Sequence, residues 1–326
     1  MARINRIGVF TSGGDAPGMN AAIRAVVRTG ISEGLDVFGI YRGYEGLIDG
    51  QIEPMQSHSV SNIIQRGGTI LKTARSKRFM EKVGRIQAYE NLKKYKIDAL
   101  IAIGGDGTFT GADVFNSEFD YPILGLPGTI DNDLYGTDYT IGFDTAVNTV
   151  VEAADKIRDT ATSHDRLFFI EVMGRDAGFI ALRSGVAVGA EFILVPETTT
   201  YIDNLARLLK HDWRKSKTSG LVIVAEGDDA GGAYEIARQV QEKVPELDCR
   251  VTILGHIQRG GSPSSNDRFL ASILGYAAVK SLRDGHRGEM VGMIDKQVSF
   301  TPFEKAIKYN KDINHQILEM SRILAL

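Results

Sequence analysis

The sequence predicts an α/β protein whose sheets are largely parallel and covered by helices. Short strand-like runs alternate with helix-length amphipathic stretches along nearly the whole chain. The runs, such as Leu100-Ile101-Ala102-Ile103, are apolar throughout rather than at every second residue, as in strands buried on both faces. Thirty-six glycines in 326 residues exceed the norm of roughly 7% and gather at the ends of those runs, where loops bring backbone close to a ligand.

Residues 7–10 read as the first buried strand. A helix follows from about Pro17 to Thr29, with Pro17 in the first turn, where its missing N–H costs nothing. Residues 37–41 form the next strand, then come helices near 59–66 and 79–95. The strand at 99–103, a helix at 108–116 and the strand at 122–125 complete a first series of βαβ punctuation. A second series starts with a long helix from Phe143 to about 162 and continues with strands at 167–172, 192–195, 221–225 and 251–254. Helices at about 177–187, 203–216 and 232–243 separate these strands. Ser262-Pro263 opens a helix to about 282, residues 290–294 read as a strand, and a last amphipathic helix is expected from Pro302 to about 323. Two closely packed α/β lobes with a shared cleft fit this pattern better than one continuous sheet.

The net charge of −3 gives no footprint for nucleic acid or an anionic membrane. The single Cys249 cannot form an internal disulfide, and it reads as a small residue entering a strand, not as a nucleophile. No secretory hydrophobic region stands at the N-terminus and no run of about 18 apolar residues occurs, so a cytoplasmic protein is expected.

Neither common nucleotide loop is present: the chain has no Gly-Lys dipeptide for a P-loop, and the G-x-G-x-x-G started by Gly105 and Gly107 fails at Thr110. Two other loops remain. Thr11-Ser12-Gly13-Gly14-Asp15-Ala16-Pro17-Gly18 and Gly104-Gly105-Asp106-Gly107-Thr108 each follow a strand and open a helix. Unpaired N–H groups and a partial positive charge at a helix N-terminus suit phosphate, and ligands bind at the carboxyl ends of parallel strands. Asp106 is a helix N-cap in the plain reading and a hard Mg²⁺ ligand beside phosphate in the functional one. Gly-Leu-Pro-Gly-Thr-Ile-Asp-Asn-Asp at 125–133 is either an ordinary turn or a pair of carboxylates, Asp131 and Asp133. In the second case one accepts a proton from an attacking hydroxyl while the other orients metal-bound water. Arg75, Arg166, Arg175, Arg250 and Arg259 are candidate anion ligands, though an arginine is usually a solvated surface charge. Strand ends favour Arg175 and Arg259, and His256 with Arg259 suits a phosphate dianion. Glu226, at another strand end, is placed to accept from a sugar hydroxyl.

At these residues the chain closely resembles the bacterial ATP-dependent 6-phosphofructokinases over essentially its whole length. Pro-Gly-Thr-Ile-Asp-Asn-Asp at 127–133 and Gly-His-Ile-Gln-Arg-Gly-Gly-Ser-Pro at 255–263 are the most specific parts of the match. The resemblance implies two Rossmann-like lobes with largely parallel sheets covered by helices and the active site in the cleft between them. Residues 1–141 with 256–304 would form the larger, ATP-binding lobe, and 142–255 with 305–326 the smaller, sugar-phosphate lobe. It further implies transfer of the γ-phosphoryl of MgATP to the 1-hydroxyl of fructose 6-phosphate, a step of glycolysis. ATP would meet Gly14, Arg75, Ser76, Gly105, Asp106, Gly107 and Thr108, with Asp106 on Mg²⁺. Asp131 would be the proton acceptor, Arg75 and Thr129 would stabilise the transferring group, Asp133 would help organise the metal, and Arg175 would lie close by. Fructose 6-phosphate would contact Thr129, Ile130, Asp131, Met173, Gly174, Arg175, Glu226, His256, Ile257, Gln258 and Arg259. Arg166 and Arg250 would reach in from a neighbouring subunit of a homotetramer.

In the similar pyrophosphate-dependent enzymes an Asp and a Lys stand where this chain has Gly107 and Gly128. Gly107 leaves room for a nucleotide, and no lysine is present at 128 to hold a smaller donor, so ATP is favoured. The alternatives are a pyrophosphate-dependent enzyme and a non-catalytic sugar-phosphate sensor of the same fold, against which the three carboxylates of Asp106, Asp131 and Asp133 argue. Arg24, Arg28, Arg158, Gly189, Glu191, Lys215 and Lys217 match the family's effector site for ADP or phosphoenolpyruvate. The chain departs from the family there, with Ser57 in place of an arginine and Ala190 in place of a glycine.

Overall fold

The computed structural model describes residues 4–164, 166–215, 219–309 and 311–325, without the side chains of 212–215. The chain runs through β1 (Arg6–Thr11), α1 (Met19–Ser32), β2 (Asp36–Ile40), α2 (Gly43–Asp49), β3 (Ile52–Met55), α3 (Lys82–Tyr95), β4 (Ala99–Gly104) and α4 (Asp106–Phe119). It continues with β5 (Ile123–Thr129), β6 (Ile141–Gly142), α5 (Phe143–Ser163), β7 (Leu167–Val172), α6 (Phe179–Ala187), β8 (Phe192–Leu194), α7 (Ile202–Lys215), β9 (Gly220–Ala225) and α8 (Ala233–Lys243). It closes with β10 (Cys249–Ile253), α9 (Ser265–Arg283), β11 (Glu289–Ile294), β12 (Gln297–Pro302), α10 (Phe303–Lys308) and α11 (His315–Leu324).

Two compact units result, one of Met1–Ile130, Leu134–Thr145 and Arg259–Lys311, the other of Asp131–Asp133, Ala146–Gln258 and Asp312–Leu326. These divisions fall a few residues from those expected at 141, 255 and 304, and Asp131–Asp133 group with the second unit.

The sheet of the first unit has the order β12-β11-β5-β4-β1-β2-β3, with β6 paired to β5. Its middle is parallel and fully buried: every residue of β4 is buried, as its unbroken apolar sequence requires. Aromatic rings fill one face, with Tyr44 stacked on Phe79 at 4.0 Å, Phe10 edge-on to Tyr44 at 4.9 Å, and Phe109 stacked on Phe303 at 5.3 Å. The second unit is built on a parallel sheet in the order β10-β7-β9-β8. Phe169, Val222, Val224, Ile236 and Val240 are fully buried in its core.

The departures from expectation lie at edges and turns. β3 and β12 are antiparallel edge strands that the sequence did not announce, because each carries a proline, which an edge strand tolerates, and β3 has only four residues. α2 was also unforeseen; left-handed Arg42 and Gly50 bracket its seven residues. No helix forms over 59–66: a 3₁₀ turn at Ser57–Val60 is held by the Ser59 hydroxyl accepting from the Gln56 N–H, and Asn62 is left-handed. α1 begins at Met19 rather than Pro17, because Gly18 before it has φ 106°. The expected last helix over 302–323 divides into α10 and α11, with Asn314 capping the second by accepting from the Gln316 and Ile317 N–H groups.

Candidate active site

In the first unit β1 and β4 pair in parallel, so the glycine loops that follow them leave the same edge of the sheet. They are fastened directly: the Ser12 N–H donates to the Ile103 carbonyl at 3.0 Å, and the Thr108 hydroxyl donates to the Ser12 carbonyl at 3.1 Å. Thr108, expected among the nucleotide contacts, is therefore 2% exposed, and its hydroxyl joins the two loops. Tyr44 braces the second loop by donating to the Thr108 carbonyl at 2.6 Å. Asp106 and Gly107 at the start of α4 remain exposed, as does Gly14. Gly105 is half-buried beside them.

The 69–78 segment lies over the first loop. Thr73 donates to the Gly13 carbonyl at 2.7 Å, which leads the chain to an exposed Arg75. Ser76 does not present a free hydroxyl: it donates to the Glu45 carboxylate, which together with Asp49 also holds Arg78. Those hydrogen bonds, from Ser76 first and Arg78 second, pull the Glu45 carboxyl below its ordinary value. Arg259 reaches the Asp15 carbonyl with Nη1 at 3.4 Å, so it sits on the same loop. Thr129 ends β5, next to β4, and its carbonyl accepts from the Thr140 hydroxyl at 2.6 Å. Ile130 after it is fully buried.

A residue that sequence reasoning passed over secures this end of the unit. Asp267, 1% exposed in the first turn of α9, accepts from the N–H groups of Gly142 and Thr145 at 2.8 Å each and from the Thr145 hydroxyl. Burial raises its carboxyl above the usual range, against these hydrogen bonds. It ties α9 to β6, whose Ile141 and Gly142 pair with Gly128 and Thr129.

In the second unit Asp131 is 1% exposed, and its Oδ2 lies 3.4 Å from Nε of a half-exposed Arg175. Asp133 is half-buried two residues on. Met173, Gly174 and Arg175 follow β7, and side chains take their peptide N–H groups. Gln258 Oε1 accepts from Met173 at 3.2 Å, and Glu226 Oε1 accepts from Gly174 at 3.3 Å and Arg175 at 2.7 Å. Gln258, expected to face substrate, is fully buried. His256 and Ile257, in the same 3₁₀ turn, are exposed. Arg166 and Arg250 share one carboxylate, that of Asp248, at 3.0 Å each. Burial would raise Asp248, but the hydrogen bonds from Arg166 and Arg250 hold it below the usual carboxylate range.

The expected effector residues fall in both units. Arg24 and Arg28 share a face of α1; partial burial and then the Arg28 charge lower Arg24 from its ordinary value. In the second unit Arg158 donates to the carbonyls of Val188 and Gly189. Glu191 has a structural task, accepting from the Leu221 N–H at 2.5 Å. Ser57 is exposed at the start of its 3₁₀ turn and Ala190 is buried. Lys217 and the side chain of Lys215 lie outside the described residues.

A family model described as Phosphofructokinase matches residues 6–282 of the chain. Over 326 residues, 100% of both chains, the sequence is 56% identical to the ATP-dependent 6-phosphofructokinase 2 of Bacteroides thetaiotaomicron. It is 57% identical over 323 residues to the ATP-dependent 6-phosphofructokinase 1 of Thermus thermophilus, covering 99% of this chain and 100% of that one. Among solved structures, phosphofructokinase from Saccharomyces cerevisiae is similar with a TM-score of 0.90 and 38% identity. The match covers 98% of this chain and 48% of the yeast chain, so this chain spans about half of it. A pyrophosphate-dependent phosphofructokinase from Marinobacter aquaeolei shares the fold, with a TM-score of 0.83 at 21% identity over 96% of this chain and 86% of that one.

Proposed function

This chain belongs to the phosphofructokinase family, and we propose that it transfers the γ-phosphoryl group of ATP to the 1-hydroxyl of fructose 6-phosphate, giving fructose 1,6-bisphosphate. The observation that carries this reading is the buried Asp131 carboxylate 3.4 Å from the Arg175 guanidinium. It supplies a proton acceptor and, beside it, a cation for charge that develops during transfer. The similarity to ATP-dependent 6-phosphofructokinases of Bacteroides and Thermus favours ATP as the donor.

The nucleotide phosphates are assigned to the two fastened glycine loops, with Arg75 adding charge and Arg259 braced on the first loop. Asp106 suits Mg²⁺: a single exposed hard carboxylate, on a loop with open space at Gly107, fits a cation that keeps most of its waters and shares phosphate oxygens. Bound there, Mg²⁺ would neutralise phosphate charge, and Asp133 would help orient its waters. The sugar phosphate is assigned to Met173–Arg175, Glu226, His256, Ile257 and Arg259, with the buried Gln258 holding the Met173 peptide. Arg166 and Arg250 are assigned to a neighbouring subunit's site in a homotetramer. In the transfer, Asp131 takes the proton as the O1–H bond breaks, O1 bonds to the γ-phosphorus, and the bond to the leaving ADP oxygen breaks. Arg75 and Thr129 are assigned to stabilise the transferring group, with Arg175 close to the same chemistry. Arg24, Arg28, Arg158 and Gly189 remain the candidate effector ligands, for ADP or phosphoenolpyruvate.

Assaying the purified protein with ATP and with pyrophosphate in parallel tests the donor, and turnover with pyrophosphate alone would overturn it. Asp131→Ser should lower kcat by about 10²–10⁴-fold while the KM for the sugar changes little. Near-normal turnover in that variant would remove Asp131 from its role.

A further inference from the structure

Arg175 is left-handed, with φ 54° on a residue that carries a Cβ. Such a conformation persists only where the surroundings impose it, and here the surroundings can be named. Gly174 before it has φ 146°, and a side chain there would strike the Ala177 carbonyl. Gly227 lies against the Arg175 carbonyl so closely that an added Cβ would sit 2.1 Å from its oxygen. The Glu226 carboxylate closes the turn from the other side, accepting from the Arg175 N–H at 2.7 Å and the Gly174 N–H at 3.3 Å. Adjacent residues just after β9 thus meet the two peptide groups that flank Arg175, Glu226 at its N–H and Gly227 at its carbonyl, and the Arg175 side chain reaches Asp131.

From this we infer that Glu226 is a positioning residue for Arg175: its carboxylate sets the left-handed turn, and through it the guanidinium beside Asp131, in addition to any contact with the sugar. The inference rests on the phosphoryl-transfer reading and deepens it, because it makes turnover depend on a residue otherwise expected to govern sugar affinity alone. A group aimed through a peptide bond acts on kcat, since a displacement of about 1 Å at a reacting group can cost on the order of 100-fold in rate.

A double-substitution cycle on the full-length enzyme tests it. Glu226→Ala should lower kcat by about tenfold or more as well as raise the KM for fructose 6-phosphate. In an Arg175→Ala background the same change should leave kcat within about twofold, because its route to turnover is already gone. Glu226→Gln, which keeps an acceptor oxygen, should restore most of the turnover while sugar affinity stays impaired. Gly227→Ala should lower kcat with Glu226 intact, and it keeps the test open if Glu226→Ala fails to fold. The inference is overturned if Glu226→Ala changes KM alone, if the kcat losses of Glu226→Ala and Arg175→Ala multiply, or if Gly227→Ala turns over like the wild type. An inactive wild type in the same assay would instead overturn the functional reading and this inference with it.

Discussion

Arg175 shows most clearly what a single residue contributes beyond its chemical type. Its charge and its place at a strand end were visible in the sequence, but its left-handed backbone was not, because the residues that impose it, Glu226 and Gly227, lie about 50 positions away. The two glycines read as donor-selecting differ in the same way. Gly107 faces open space, whereas a Cβ at Gly128 would sit 3.0 Å from Ile103 Cγ2 and 3.1 Å from Met19 Cε in a buried strand. Gly107→Asp should therefore fold with a stability change within about 1 kcal/mol, yet raise the KM for ATP about tenfold or more by placing a negative charge beside phosphate. Gly128→Lys should instead lose about 3 kcal/mol or more, from overpacking and a buried amine, as read by urea unfolding. Cys249 opens β10, as its plain reading expects; burial first, and the neighbouring Asp248 charge second, push its thiol up to about 11. At pH 8 only about one thiol in a thousand is then thiolate, so iodoacetamide should modify the native protein far more slowly than the urea-unfolded chain.

Among the elements, the helices and strands with a strong apolar period appeared where expected, and the misreadings have two causes. β3 and β12 depend on edge pairing that the local pattern does not show, whereas the last helix is divided by a local cap, the Asn314 side chain, within a continuing amphipathic run. Asp267 is the instructive omission. Ser264-x-x-Asp267 has the spacing of a capping box, and Ser264 does accept from the Asp267 N–H at 3.2 Å. The returning half of the box is replaced: the Ser264 N–H donates to the Thr145 hydroxyl, and the Asp267 carboxylate instead caps the start of α5. One motif thus serves two helices more than 120 positions apart. Asp267→Ala would leave the buried Gly142 and Thr145 N–H groups without an acceptor and should cost about 2–5 kcal/mol in urea unfolding. Asp267→Asn, which keeps one oxygen, should cost less.

For the whole molecule, both compact units are built from discontinuous stretches of chain, and the proposed site residues are distributed over both units. The reading that assigns Arg166 and Arg250 to a neighbour's site has a direct consequence. Asp131→Ser and Arg166→Ala chains, each impaired alone, should recover activity when dissociated and reassembled together, because some sites then receive an intact Asp131 from one chain and an intact Arg166 from another. A mixture no more active than its parents would show that sites are not shared. In the isolated chain those two arginines are paired with one carboxylate, that of Asp248, and all three side chains are partly exposed.

The sequence by itself determined the α/β class, the two glycine loops, the carboxylates and the family, since these follow from local periodicity and from runs of residues contiguous in the chain. Tertiary structure alone decided which of those residues are exposed to act and which hold others in place. Thr108, Gln258 and Glu191 have the residue types of ligand contacts, yet one oxygen of each bonds to a backbone group at least 30 positions away. A side chain's hydrogen-bonding capacity is fixed by its chemistry, but the backbone donor or acceptor that claims it is fixed only when the fold brings distant segments together.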